Sequence, residues 1–392
     1  MPDDRPYDIV LFGATGFTGA LTAEYLARNA GPALRWALAG RNRAKLEAVR
    51  DRIGLPELPL LHADATDPAS LVEIARQARV VATTVGPYVF YGEPLVAACA
   101  DAGTHYADIT GEPEFVDRMF IRHHERAART GAKLVHACGF DSVPHDLGAY
   151  FTVRQLPEGV PLEVSGFVRA SGAASGGTAH SLVTAISRFR QTIEAANVRR
   201  ELETVSGPAT ASATRKTRGV PGSVRHVGGW ALPLPTLDPQ IVARSARALD
   251  RYGPDFTYRH HLAVRRLPVA LGLAAGAGAL ALLAQIPPTR SLLLRRFAPG
   301  EGPGVEQRAR SWFKVTFLGL GGGARVVTEV AGGDPGYGET AKMLGESALC
   351  LATDDLPEVS GQLTTAVAMG DALIGRLQRA GITFTVLSDS RK

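Results

Sequence analysis

A chain of 392 residues is too long for one ordinary core and fits two domains of common size. With 45% hydrophobic residues and a formal net charge of +5 it has the composition of a globular protein; the charge is spread too thinly, with no basic helix or aromatic-basic motif, to indicate a nucleic-acid partner. Three scattered cysteines, Cys99, Cys138 and Cys350, argue against a disulfide framework, and the polar MPDDRPYD start lacks a signal-peptide pattern, so a reducing, cytoplasmic setting is expected.

The first part alternates short apolar runs with amphipathic ones. Strands are predicted at 8–12, 35–40, 58–64, 80–86, 104–110 and 132–138. Helices are predicted between them at 19–30, 43–53, 67–78, 93–103 and 113–131. Strands and helices at this pitch mean βαβ units and a parallel, doubly wound sheet.

The rhythm changes after Gly148. LEVSGFVRAS (162–171) reads as a strand, and 178–198 as a long helix entered through Gly176 and Gly177. The stretch 206–239, rich in Gly, Pro, Ser and Arg, reads as loops. Residues 311–332 read as two strands around a glycine turn, 336–352 and 368–381 as helices, and 382–387 as a closing strand. The expected division is a Rossmann-type nucleotide-binding domain over 1–148 and a mixed α+β domain over 149–392, with the C-terminal segment free to pack back on the first.

LPVALGLAAGAGALALLAQI, residues 267–286, carries no charge over a length that spans a bilayer. It is rich in Ala and Gly, hence only weakly hydrophobic, and is followed by Pro287 and Pro288. A helix buried between domains or lining an apolar pocket, a membrane-touching helix and a spanning helix all fit it.

Chemistry enters with IVLFGATGFTG. A strand running into glycines and then a helix makes an anion site, because the helix start leaves N–H groups free and carries partial positive charge. Gly13 would allow the tight turn, Gly16 the approach of a phosphate, and Gly19 the packing of helix on strand. Ala14, Thr15, Phe17 and Thr18 complete this dinucleotide loop. The second strand ends in AGRNRAKL, with no acid for a ribose hydroxyl. Arg41, Arg43 and Lys45 lie within five residues there and would instead pair a 2′-phosphate, Arg41 foremost, which favours NADP over NAD; Asn42 is also expected at the cofactor. Asp64 and Ala65 after the third strand, and Gly86 and Pro87 after the fourth, are expected along the cofactor. Asp67 reads as a helix cap.

Tyr88 and Tyr91 follow as candidates to orient a carbonyl or give a proton; packing is the competing reading for each. Asp141 and Ser142, after the sixth strand, are candidates to lie by the nicotinamide; the competing reading is loop structure, with Asp141 as a cap before the helix that Pro144 would start. HHE (123–125), RHH (259–261) and HAC (136–138) show no metal-ligand spacing, so no metal is expected. No G-x-S-x-G elbow is present.

GATGFTG, AGR, GPY, YADITGE and above all CGFDSVPHDLG resemble the saccharopine dehydrogenase-like oxidoreductases. Within them, GYGETAKM and TAVAMGDALIGRLQRAGITF are similar to the trans-acting enoyl reductases of mycobacterial lipid synthesis. His145 stands where members of that group often have Ser. The resemblance implies an NADP-dependent reductase of a carbon–carbon double bond in a polyketide-type acyl thioester, working in trans on a polyketide synthase, with peripheral membrane or lipid contact in some relatives. A saccharopine-like reductase of a small carbonyl or imine, and a non-catalytic NADP-binding, lipid-associated protein, stand as alternatives.

Overall fold

The computed structural model describes residues 5–171, 183–184, 186–206, 213–216, 222–224, 228–286, 288–290, 292 and 303–390. Gly176, Gly177 and the opening of the helix expected at 178–198 lie outside these residues; within the described part of that region a helix runs over Phe189–Ser206.

The chain first lays down β1 (Tyr7–Phe12), β2 (Trp36–Gly40), β3 (Leu60–His62), β4 (Ala78–Thr83), β5 (His105–Asp108) and β6 (Lys133–Val135). It then builds β7 (Leu162–Ser171), β8 (Ala213–Lys216), β9 (Gly222–Val224), β10 (Gly229–Pro233), β11 (Asp255–Val264), β12 (Trp312–Gly321) and β13 (Ala324–Gly332), followed by β14 (Gly361–Leu363) and β15 (Thr383–Ser390).

Two sheets result. The first runs β14-β6-β5-β4-β1-β2-β3 and is parallel throughout. Its strands are covered on both faces, which is why they read as continuous apolar runs: Ile9, Val10 and Leu11 are fully buried. The second sheet, β15-β13-β12-β7-β11-β10-β9 with β8 beside β11, is mixed. Three of its strands, β8 to β10, lie in the stretch expected to be loops. They are short segments paired directly or in turn with β11, so a neighbour's edge and not local propensity makes them strands.

The chain passes from one sheet to the other through the helix Val143–Val153, so residue 148 falls inside that helix. The helix lies on the second sheet against β7, β12 and β13. The return path is β14, which joins β6, and the helix Gly338–Thr353, which packs on the first helix, Phe17–Asn29. There a Cβ at Gly345 would meet the Tyr25 ring at 2.6 Å, and the Tyr25 hydroxyl donates to Glu346 at 2.5 Å.

The apolar helix Leu267–Gln285 is not buried. Ala270 and Ala284 are covered, but Leu271 is 62% and Leu282 72% exposed. The reading of a helix enclosed between domains is therefore corrected.

Gly148 shows how tightly the crossing helix sits. A Cβ there would lie 2.3 Å from the Phe317 ring, itself fully buried. Gly148→Ala should lower the urea midpoint, because overpacking costs about 1–3 kcal/mol against the roughly 1 kcal/mol of helix propensity that Ala restores.

Candidate active site at the edge of the parallel sheet

Strand order reverses between β1 and β4, and in open α/β sheets such a switch point opens a crevice beyond the carboxyl ends of the strands. The glycine loop occupies it. Gly13 has φ +92°, a conformation that L side chains resist, and an added Cβ would meet Val85 at 2.7 Å. At Gly19 a Cβ would fall 2.1 Å from the Gly13 carbonyl oxygen and 2.7 Å from Thr84 Oγ1. Gly16 differs. A Cβ there would make only ordinary contact, 3.5 Å from the Gly13 oxygen, and the residue is exposed. The fold therefore requires Gly13 and Gly19, while the bareness of Gly16 leaves room for something from outside.

Gly16 is the N-cap of helix Phe17–Asn29 and no side chain caps that helix start. Its first N–H groups thus stay available for an anion. Thr84 Oγ1 donates to the Gly13 carbonyl at 3.1 Å, tying the loop after β4 to the glycine loop. Ala14 is buried, Thr15 and Gly16 are exposed, and Thr18 is half-buried. The Phe17 ring packs edge-on to Tyr337 at 4.7 Å, so the second half of the chain flanks the loop.

Arg41 follows β2 and is exposed, with no ion pair among the described residues. Arg43, by contrast, pairs with Glu47 at 3.0 Å. Asn42 caps the helix Arg43–Arg52 through Lys45 N, which occupies its side-chain oxygen. Asp64 accepts from Thr66 N at 2.9 Å and Thr66 Oγ1 at 2.8 Å, bonds that hold its carboxyl below the usual range. Half-buried Ala65 follows it, and Asp67 caps the next helix through Ala69 N. Gly86 and Pro87 lead from β4 into the helical turn Tyr88–Tyr91.

The two tyrosines part company. Tyr88 is buried; its hydroxyl donates to the Thr83 carbonyl at 3.1 Å and accepts from Ile109 N at 3.4 Å. Its donor is committed to the fold, so the packing reading fits it. Tyr91 is 44% exposed on the same loop.

The loop after β6 is pinned from below. Buried Asp108, at the end of β5, accepts from Thr110 N at 3.0 Å, Ala137 N at 2.8 Å and the Tyr106 hydroxyl at 2.9 Å, and lies 2.7 Å from His136 Nδ1. Ala137 takes φ +60°, a strained value for a residue with a Cβ. Beyond it, the Phe140 amide donates to Thr340 Oγ1 at 3.1 Å.

Then comes a run of polar groups without partners. Asp141 makes no hydrogen bond among the described residues. Its Oδ2 lies 2.9 Å from where a Cβ on Gly111 would stand, beside the loop after β5. Burial, with the Asp238 charge adding, pushes its carboxyl up to about 7. The N-cap of Val143–Val153 is Ser142 and not Asp141, yet its buried Oγ caps nothing and has no partner. His145 Nδ1 is likewise unpartnered, and burial holds this imidazole down to about 4. Buried polar atoms are nearly always hydrogen-bonded, so Ser142 Oγ and His145 Nδ1, beside half-buried Asp141, mark a site. Next to it stand Asp238 and His260, which sequence spacing could not connect.

The glycine cradle and Arg41 fit an adenine dinucleotide carrying an extra phosphate. Residues 9–135 match the saccharopine dehydrogenase NADP-binding domain. A Mycobacterium tuberculosis protein provisionally named a trans-acting enoyl reductase is 40% identical over 97% of both chains. Proteins named trans-acting enoyl reductase from Mycobacterium ulcerans and Mycobacterium leprae are each 38% identical, over 96% and 97% of this chain and 97% and 98% of theirs. Among solved structures, apo saccharopine dehydrogenase (L-Glu forming) from Saccharomyces cerevisiae shares the fold, with TM-score 0.57 over 97% of this chain and 99% of that one at 11% identity.

The glycines separate binding from folding. Gly16→Ala should leave the thermal midpoint unchanged but weaken NADPH binding at least tenfold in a fluorescence titration, since only the ligand needs that space. Gly19→Ala should fail to reach the native midpoint at all.

Proposed function

The chain belongs to the trans-acting enoyl reductases, within the saccharopine dehydrogenase-like oxidoreductases, and on that premise we propose that it reduces a carbon–carbon double bond in a polyketide-type or lipid acyl thioester presented by a separate synthase. NADPH, when bound, supplies the hydride. The uncapped start of Phe17–Asn29 holds the diphosphate, and Arg41 the 2′-phosphate. Asp64–Ala65 and Gly86–Pro87 line the path between.

The observation that carries the reading is Asp141. Its carboxyl sits unpartnered beside the loop after β5, at the same edge of the sheet as the glycine cradle. A carboxyl poised near neutrality is suited to hold a proton and give it to the α-carbon as the enolate forms. Tyr91, exposed on the loop after β4, is the residue we assign to orient the thioester oxygen. A small dicarboxylate is a poorer fit, because buried Arg199 and Arg244 are engaged by Asp117 and Glu203 and the charge that bears on Asp141 is the Asp238 carboxylate.

The exposed helix Leu267–Gln285 supplies a second contact, with a lipid surface. At 1.5 Å per residue it is about 28 Å long, apolar on every face, and preceded by Arg265 and Arg266. Water-exposed apolar surface of this extent needs a cover. The chain enters it from β11 and returns to β12, which both flank β7 in one sheet. Residues 290–310 carry Arg290, Arg295, Arg296, Arg308 and Arg310, so no second crossing is available. The helix therefore embeds from one side, with its arginines at anionic headgroups.

Purified protein should oxidise NADPH with 2-enoyl thioesters and not with small keto acids; turnover of keto acids alone would overturn the reading. Asp141→Asn should lower kcat about 10²–10⁴-fold with NADPH affinity retained. Wild-type kcat should fall as pH rises through about 7, where the donor loses its proton, and the variant should lack that limb. The protein should float with phosphatidylglycerol-containing vesicles, and Leu271→Asp with Leu282→Asp should abolish flotation; a soluble dimer that ignores vesicles would show that a second copy covers the helix.

A further inference from the structure

His145, Asp238 and His260 are far apart in the chain but meet where the helices Val143–Val153 and Asp238–Ala248 lie together against the second sheet. Their exposures are 2%, 3% and 5%. One potential ligand atom from each lies within 4.8 Å of the others. His145 Nε2 is 3.7 Å from Asp238 Oδ1, and His260 Nε2 is 3.4 Å from Asp238 Oδ2. His145 Nδ1, Asp238 Oδ1 and His260 Nε2 have no hydrogen-bond partner.

We propose that these three side chains bind a divalent transition-metal ion of the zinc class, which ties the helix leaving the nucleotide-binding sheet to the second sheet. The separations are the first argument. They are long for hydrogen bonds between charged or polar groups. Ligands arranged tetrahedrally about an ion at roughly 2.1 Å stand about 3.4 Å apart, and the two imidazole–carboxylate separations, 3.7 and 3.4 Å, lie near that value. The donor set is the second. Two imidazoles and one carboxylate suit zinc and its first-row neighbours, whereas magnesium and calcium prefer all-oxygen cages.

The surroundings are the third. His260 Nδ1 lies 3.1 Å from the buried Tyr258 hydroxyl, which fixes the ring and leaves Nε2 facing the cluster. Gly166 on β7 makes room for that hydroxyl, since a Cβ there would stand 2.7 Å from it. Thr236 Oγ1 donates to Asp238 Oδ2 and orients the carboxylate. Outer contacts that orient both an imidazole and a carboxylate are typical of built metal sites. A 2+ charge would also offset the carboxylate of Asp238, which is buried among these groups.

The test uses tag-free full-length protein, stripped with a chelator and dialysed. Titration with Co²⁺ should give a visible d–d band saturating at about one equivalent per chain, and Zn²⁺ should displace it and raise the thermal midpoint. Asp238→Asn and His260→Gln should lose the band, while His62→Gln, an exposed histidine elsewhere, should keep it. Tyr258→Phe, which preserves shape, should fold and weaken Zn²⁺ about 10–100-fold. Wild-type protein that takes up neither ion, or a band that survives Asp238→Asn, would overturn the proposal. If the ligand variants do not fold, wild-type stoichiometry and the Tyr258→Phe affinity decide it.

Discussion

Everything at the cofactor edge depends on how closely the first helix can approach the turn that precedes it. That approach is set by Gly19, whose Cα faces the Gly13 carbonyl with no room for another atom. Because the helix is seated there, its bare amides point into the crevice where strand order reverses, and Thr84 locks the neighbouring loop to the same carbonyl. Binding chemistry follows from packing here: the backbone is exposed to a ligand because it is fitted so tightly to itself.

The segment from Cys138 to Gly148 does two jobs at once. Its end is structural. Gly148 receives the Phe317 ring, and Asp146 accepts from Ser245 Oγ at 2.5 Å, Thr365 Oγ1 at 2.8 Å and Ala366 N at 2.8 Å, joining three parts of the chain. Its middle is less satisfied. Ser142 and His145 hold buried polar atoms without partners, half-buried Asp141 makes no hydrogen bond among the described residues, and unsatisfied buried groups are costly unless something else meets them. The strained Ala137 and the Asp108 network beneath it hold that run in place. The free cysteines take no part; Cys99, Cys138 and Cys350 are all buried, and burial pushes their thiols up, away from the reactive form.

Much of this was legible in the residues. Six of the seven strands of the first sheet, and the five helices between them, appear where apolar runs and amphipathic runs alternate, because strands buried on both faces must be apolar and helices packed on one face must be striped. Caps at Asn42 and Asp67 follow from short-range hydrogen bonding. The strands β8 to β10 did not show, since a short strand in a Gly- and Pro-rich stretch exists only when another edge is offered to it.

The amino-acid sequence alone determined that a strand, three glycines and a helix would leave amides for a diphosphate, and that an arginine instead of an acid would follow the second strand. Those are local facts, carried by residues within one or two turns of each other. The tertiary structure alone decided that Tyr88 turns inward while Tyr91 stays out, that the apolar helix lies uncovered, and that His145, Asp238 and His260 share one buried space. Each of these depends on contacts between segments tens of residues apart, and no periodicity or spacing along the chain records which distant surfaces will meet.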